Sequence, residues 1–200
     1  ELLDRWKAGD RNAGNLLFER HFESVCRFFA NKVSDGVDDL IQKTFLGCIE
    51  GRDRFRKQAS FRTYLFAVAH NILRVHFREL KRGSPVDFNV ATTDELTPSP
   101  STVFASHEEQ KLLLQSLRHI PFEHQLVLEL YYWEDMSASE LAEVLQMAEG
   151  TVRSRIRRAK ELLRTRMKVL ARTPALLKTT ISDLDHWVRS LRQHLGSTGS

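Results

Sequence analysis

The chain has 200 residues, 42% hydrophobic and 28% charged. That is too apolar for a disordered chain and enough for one compact domain or two small ones. The net charge is +4, small in sum but unevenly spread. No apolar run approaches the roughly 20 residues of a membrane span, and none at the start reads as a signal peptide, so no membrane insertion is expected. Cys26 and Cys48 sit at apolar helical positions without metal-ligand or disulfide-framework spacing. A reduced, cytoplasmic protein is the expectation.

The first 80 residues carry three helical stripes. Phe18, Phe22, Val25, Cys26, Phe29 and Val33 make one; Val37, Leu40, Ile41, Thr44, Phe45 and Cys48 the second; Phe61, Tyr64, Leu65, Val68, Ile72 and Val75 the third. No alternating strand pattern competes. Before the third stripe, Arg52, Arg54, Arg56, Lys57 and Arg62 surround Phe55 and Phe61. Cations interleaved with rings suit single-stranded nucleic acid, since cations track phosphates and rings stack on unpaired bases. The same phenylalanines also suit a core. Asn71 lies further along that helix and offers both a donor and an acceptor.

Three of the five prolines, Pro85, Pro98 and Pro100, fall between Gly83 and Ser101. With its Ser and Thr and weak periodicity, the stretch 82–106 reads as a flexible linker. Helices are then expected near 108–119, 122–133, 139–146 and 150–168. Ser137 followed by Glu140 is a capping box. A break at Gln146–Met147–Ala148 precedes the last of these helices, giving a helix-turn-helix. Charge reverses across it: residues 112–150 hold seven acids and one base, whereas Thr151–Arg172 holds nine bases and one acid, Glu161. Val152, Ile156, Ala159 and Leu163 mark the inward face, leaving Arg153, Ser154, Arg157 and Arg158 together on the outer one. A basic second helix is the geometry of a major-groove reader. Arg155 and Arg164 are expected at the DNA backbone or in solvent. Beyond Pro174 a further amphipathic helix is expected over roughly 176–195.

These residues carry a family resemblance. Asp38-Asp39-Leu-Ile-Gln-Lys-Thr-Phe45, Phe55-Arg, Ser60-Phe-Arg-Thr-Tyr-Leu-Phe66 and Ala69-His-Asn71 resemble region two of extracytoplasmic-function (ECF) sigma factors, a branch of the sigma-70 family. Ile120-Pro, Val127-Leu-Glu-Leu-Tyr-Tyr-Trp-Glu-Asp-Met-Ser137, Glu140-Leu-Ala-Glu-Val-Leu145 and Glu149-Gly-Thr-Val-Arg-Ser-Arg-Ile156 resemble their region four. The two blocks stand in the family's order and span about 12–170.

The resemblance implies an all-α protein of two small helical domains, region two over 1–81 and region four over 107–172. A flexible linker (82–106) would join them and a C-terminal amphipathic helix (173–200) would follow. It implies a non-enzymatic factor that binds core RNA polymerase at the clamp coiled coil and the flap. Such a factor recognises the −35 and −10 promoter elements and promotes DNA opening, in some cases under an anti-sigma factor. Carried over by position, Asp39, Leu40, Gln42 and Phe45 would meet the clamp, although Phe45 also suits the core. Phe55, Arg56, Lys57, Gln58, Ser60 and Asn71 would form the −10 loop and helix. Thr151, Arg153, Ser154, Arg157 and Arg158 would form the −35 reading face. The linker would thread toward the polymerase active site and RNA exit path. No cofactor is expected, because no Gly-rich Lys-Ser/Thr loop is present.

Three departures from the family stand out. Lys43 occupies a place where the family commonly has an acid, Tyr64 and Phe66 replace the usual Trp and Tyr, and Ala148 replaces the usual Ser at the N-cap of the reading helix. A stand-alone helix-turn-helix regulator is the alternative. A site-specific nuclease or recombinase, which would need a nucleophilic Ser or Tyr with clustered Arg or an acidic metal cluster, is the enzyme rival; Asp38 and Asp39 have no third acid at a ligating spacing, so no metal site is expected. The tail stripe has three open destinations: the region-four domain, a regulator such as an anti-sigma factor, or a second copy.

Overall fold

The computed structural model describes residues 1–55, 60–81, 85–96 and 108–171. The described chain is helical, and an isolated bridge between Thr92 and Pro121 is its one β-type pairing among those residues. It forms two compact units. One is Glu1–Val86 together with Ala142–Met147, and the other is Asp87–Leu141 together with the chain from Ala148 on. The expected C-terminal helix lies outside the described residues.

The first unit is built on α2 (Arg11–Ala30), α3 (Val37–Glu50) and α4 (Phe61–Leu80), with a short α1 (Leu2–Lys7) packed on α2. Two of the starts, α2 and α4, carry a side-chain cap. Asp10 caps α2 by accepting from the amides of Asn12 (2.9 Å) and Ala13 (3.1 Å), and Arg5 holds its other oxygen at 2.7 Å. The Ala13 amide, then Arg5, holds the Asp10 carboxyl below the usual range. Ser60 caps α4 by accepting from the Thr63 amide at 3.0 Å. The short α1 is pinned by Trp6, which is buried against Gly14. A Cβ on Gly14 would stand 2.6 Å from the indole Cδ1, so this approach requires glycine.

Two stripes hold their expected faces except for one member each, while residues beside them are buried as well. Phe22 is 51% exposed while Leu17 and Phe28 are buried, and Val75 is 49% exposed while Phe66, Ala69, Leu73 and Phe77 are buried. The reason is that α4 packs on both α2 and α3 and so buries a face wider than one stripe.

The second unit is organised around α9 (Glu149–Leu170), which packs on α6 (Glu108–Arg118) and α7 (Phe122–Tyr132). Leu112, Leu113, Leu117, Ile120, Leu128 and Tyr132 meet Ala159, Leu163 and Met167 in its core. Burying such side chains contributes about 1.5–3 kcal/mol each before the entropy of ordering them.

Part of the expected linker is built structure. Residues 93–96 form a single helical turn, α5, with a capping box in which the Thr92 amide donates to Glu95 at 2.9 Å. The Phe88 ring is buried 5.3 Å from that of Phe122. The Thr93 hydroxyl donates to Gln125 Oε1 at 2.6 Å, and the amides of Phe122 and Glu123 donate to the carbonyls of Ala91 (2.9 Å) and Phe88 (3.1 Å). The prolines exclude long helices here but not a strap with its own turn chemistry.

The helix α8 (Ala138–Leu145) starts at the expected capping box: the Ser137 amide donates to Glu140 Oε2 at 2.9 Å and the Glu140 amide to Ser137 Oγ at 3.2 Å. It stops in a Schellman turn, with the Met147 amide on the Ala142 carbonyl (3.1 Å) and Gln146 at a φ of +54°. A left-handed conformation at this place usually falls to glycine.

Three histidines make stability pH-dependent. His21, His76 and His124 all have pKa values lowered from 6.5, by burial first. Arg20 and Arg62 add to this at His21, and Arg155 and Arg158 at His124, where Glu123 opposes. At His76, Lys43 adds while Glu79 and Asp39 oppose. The unfolded chain takes up protons near pH 6.5 that the folded chain refuses. Stability is therefore complete above that pH and falls as pH drops through it toward the lower folded values. The urea midpoint is expected to be lower at pH 5.5 than at pH 7.5. Equal midpoints would contradict it.

Candidate nucleic-acid interface

In the second unit the outer side of α9 holds Thr151, Arg153, Ser154, Arg157 and Arg158, all exposed. Val152, Ala159 and Leu163 are buried on the opposite side and Ile156 is half-buried beside them, as their spacing requires. The helix starts at Ala148 without a side-chain cap. Arg153 is held by Glu149 (Nε to Oε1, 3.0 Å), Arg158 by Glu161 (3.2 Å), and the Ser154 hydroxyl donates to the Gly150 carbonyl at 3.1 Å. Such exposed pairs on one helix are worth about 0.3–0.5 kcal/mol and exchange readily for a stronger anion.

Two cations of the basic run are turned to structural use. Lys160 lies over the rings of Tyr131 and Tyr132 at 5.0 and 5.3 Å. Arg155, expected at the DNA backbone or in solvent, is mostly buried and paired within the protein. Its Nη1 donates to the buried Glu123 at 3.2 Å and its Nη2 to Asn89 Oδ1 at 3.1 Å. Its side chain lies next to the inward face and bonds to both α7 and the strap. No sequence signal pairs residues 66 positions apart. The buried acid in the first turn of α7, at an otherwise apolar register, was the nearest clue.

In the first unit the expected polymerase-binding residues divide by burial. Asp39 and Gln42 are exposed on α3. Lys43 pairs with Asp39 at 2.6 Å, a bond that raises the lysine pKa. Leu40 is 2% exposed, so its side chain is core and not contact surface. Phe45 is half-buried, its ring 4.9 Å from Phe18 and 6.3 Å from Phe22. Leu46 and Ile49, each 47% exposed, continue the outer ridge of α3 and were not singled out from the sequence. They sit seven residues beyond Asp39 and Gln42, two turns further along one face.

The expected −10 residues divide similarly. Phe55 is buried, its ring 4.8 Å from that of Tyr64, and its carbonyl accepts from Lys7 at 2.9 Å. That ring is packing and not a free stacking platform, which corrects its expected role. Arg56, Lys57 and Gln58 lie outside the described residues. Ser60 is exposed but its hydroxyl is engaged as the α4 cap. Asn71 is exposed on α4. Among the described residues no group of histidines, cysteines and carboxylates is arranged to hold a metal. No helix of these residues is long and apolar enough to cross a membrane.

A two-unit helical protein with a basic helix closing a helix-turn-helix has the architecture of a DNA-binding protein. Family models give the finer class: sigma-70 region 2 matches residues 17–83 and sigma-70 region 4 matches residues 110–163. The ECF RNA polymerase sigma-E factor of Haemophilus influenzae is 26% identical over 179 residues, covering 84% of this chain and 95% of the relative. That of Escherichia coli is 28% identical over 181 residues, covering 86% and 95%. Among solved structures, CnrH in complex with the cytosolic domain of CnrY matches at a TM-score of 0.64 and 23% identity over 85% of this chain and 97% of that one. The sigma factor RpoE of Bartonella quintana, in complex with the anti-sigma factor NepR, matches at 0.57 and 21% over 78% and 98%. The chain belongs to the ECF subfamily of sigma-70 factors and works as an RNA polymerase sigma factor in transcription initiation.

Proposed function

We propose a division of labour between the two domains, with region two over 1–81 and region four over 107–172 extended upstream by the strap. The α9 face reads the −35 element as duplex, with Arg153, Ser154, Arg157 and Arg158 at base edges and phosphates and Thr151 at the rim. The α3 ridge of Asp39, Gln42, Leu46 and Ile49 docks the polymerase clamp, with Leu40 and Phe45 supporting it from below. Region four meets the flap. The 56–58 loop and Asn71 take the non-template strand of the −10 element, with Phe55 and Ser60 fixing the loop's two ends. The factor is non-enzymatic, acts in the cytoplasm and is restrained by an anti-sigma factor, as the Bartonella quintana factor is bound by NepR.

The observation that carries this reading is four DNA-competent side chains sharing the exposed face of one buried-backed helix. The physics fits. Opening duplex costs about 1.4 kcal/mol of stacking per step. Base capture in a pocket offsets part of that without a nucleotide cofactor.

Run-off transcription with core polymerase on a randomised promoter library tests it. Initiation is expected from templates sharing a −35/−10 pair. Arg158→Ala should lower the preference for the selected −35 about tenfold, as for loss of one base-reading arginine. An unchanged preference would remove α9 as the reader.

A further inference from the structure

Arg155 has the most elaborate surroundings of any arginine on α9. Successive residues turn by about 100°, which puts Arg155 some 60° to one side of the inward line through Val152, Ala159 and Leu163. Around the reading residues that line holds only Val152 and Ala159, both small, with Ile156 half-buried beside them, while the larger anchors Leu163 and Met167 lie further toward the C-terminus. A tether at the flank of this first stretch holds its rotation. Arg155 is that tether, because its two terminal nitrogens reach different elements: Glu123 in the first turn of α7 and Asn89 in the strap.

Both acceptors are themselves fixed. The side chain of Glu123 is 6% exposed and its amide donates to the Phe88 carbonyl at 3.1 Å. The Asn89 side-chain amide donates to Asp87 Oδ1 at 3.2 Å and its backbone amide to the same oxygen at 2.9 Å, which aims Oδ1 at Arg155. The Phe88–Phe122 ring pair and the Thr93–Gln125 bond then fasten the strap to α7.

We propose that Arg155 is a positioning residue that sets the rotation of the recognition helix, and that the 87–96 strap sets Arg155 through Asn89. Discrimination at the −35 element then depends on a segment outside the helix-turn-helix. Base recognition tolerates only about 10–20° of misorientation, so a small roll of α9 displaces Arg153, Ser154, Arg157 and Arg158 together. The inference rests on the reading of α9 as the −35 reader.

The test uses the full chain with core polymerase on the promoter selected above and on versions carrying one −35 substitution. Asn89→Ala keeps the Glu123 bond and all the apolar packing. Arg155→Lys keeps the charge but cannot span both acceptors. Each is expected to lower the matched-to-mismatched initiation ratio roughly threefold to tenfold, the range for coupling through a packed network. The salt dependence of promoter binding should stay unchanged.

If Arg155 instead grips a phosphate, Arg155→Lys keeps that contact and leaves the ratio intact, while Arg155→Gln weakens all promoters equally and lowers the salt slope by about one. That pattern overturns the proposal. So does an unchanged ratio in both Asn89→Ala and Arg155→Lys. Arg158→Ala is the reference arm. If it lowers the ratio and the strap variants do not, only this inference fails. If it too has no effect, the reading of α9 fails and the inference with it. Hydrogen exchange of the α9 amides confirms that each variant is folded.

Discussion

Replacing Glu123 by methionine is expected to destabilise the region-four unit by about 3 kcal/mol, the low end of the range for breaking a buried ion pair. The carboxylate is 6% exposed and the Arg155 side chain 17%, so both charges have lost most of their water. Removing one partner leaves the guanidinium with Asn89 alone, a neutral acceptor, and strands a largely desolvated cation. The pair itself is worth much less than that loss, because its attraction mainly offsets desolvation. The double substitution Glu123→Met with Arg155→Met is therefore expected to recover most of the stability, since two apolar side chains of similar length refill the site. Denaturant unfolding, with hydrogen exchange of α7 and α9 as the local readout, measures both. A double variant as unstable as the single one would mean that the ion pair is a net source of stability. The same double variant should still lose −35 discrimination, because an apolar refill restores packing without restoring the hydrogen bonds that stop the helix rolling.

The second unit was legible wherever structure follows local chemistry. Ser137 and Glu140 announced the start of α8 because a capping box is a four-residue code. Val152, Ala159 and Leu163 announced which side of α9 is buried because helical period and charge agree there. The reading face followed directly, since Arg153, Ser154, Arg157 and Arg158 occupy what the apolar residues leave. Legibility ended where a residue's role depends on a distant partner. Arg155 and Lys160 look like their basic neighbours in sequence, and only the positions of Glu123, Asn89, Tyr131 and Tyr132 separate them. The first unit shows a second limit. A single-stripe reading placed Phe22 and Val75 inward, but a helix wedged between two others buries a wide face, and the register of one stripe no longer says which residues are outside. The α1 helix leaves no signal in sequence because six residues are too few to show a period, and its cause is a Trp6–Gly14 approach rather than a pattern. The strap reads as linker in sequence because its hydrogen-bonding residues, Asp87, Asn89, Thr92 and Thr93, have the composition of a loop whether or not it is tied down.

Substituting alanine for Gly51 should destabilise the region-two unit by about 2 kcal/mol, within the range for overpacking. Gly51 has a φ of −86°, so no backbone strain is involved. The obstacle is space: a Cβ there would lie 2.2 Å from the Tyr64 hydroxyl oxygen and 3.4 Å from Cζ, with the Gly47 carbonyl oxygen at 3.1 Å as a lesser, tight contact that stays in either background. The Tyr64 ring cannot simply swing aside. Its hydroxyl donates to the Cys48 carbonyl at 3.3 Å and its ring packs 4.8 Å from Phe55. Displacing it moves the residue from which the 56–58 loop departs. Tyr64→Phe removes the oxygen that collides, leaving the new methyl at ordinary distance from the ring. The double variant Gly51→Ala with Tyr64→Phe is therefore expected to be more stable than Gly51→Ala alone, although Tyr64→Phe by itself loses a hydrogen bond worth about 1 kcal/mol. This change of sign distinguishes a steric collision from a general intolerance of substitution at the end of α3. If stability fell in both backgrounds, the collision would not be the cause. Function should follow the same cycle: initiation that requires −10 opening falls in the single variant and returns in the double, while binding to duplex −35 DNA is unaffected throughout. Loss of −35 binding in Gly51→Ala would show that the two units do not work independently.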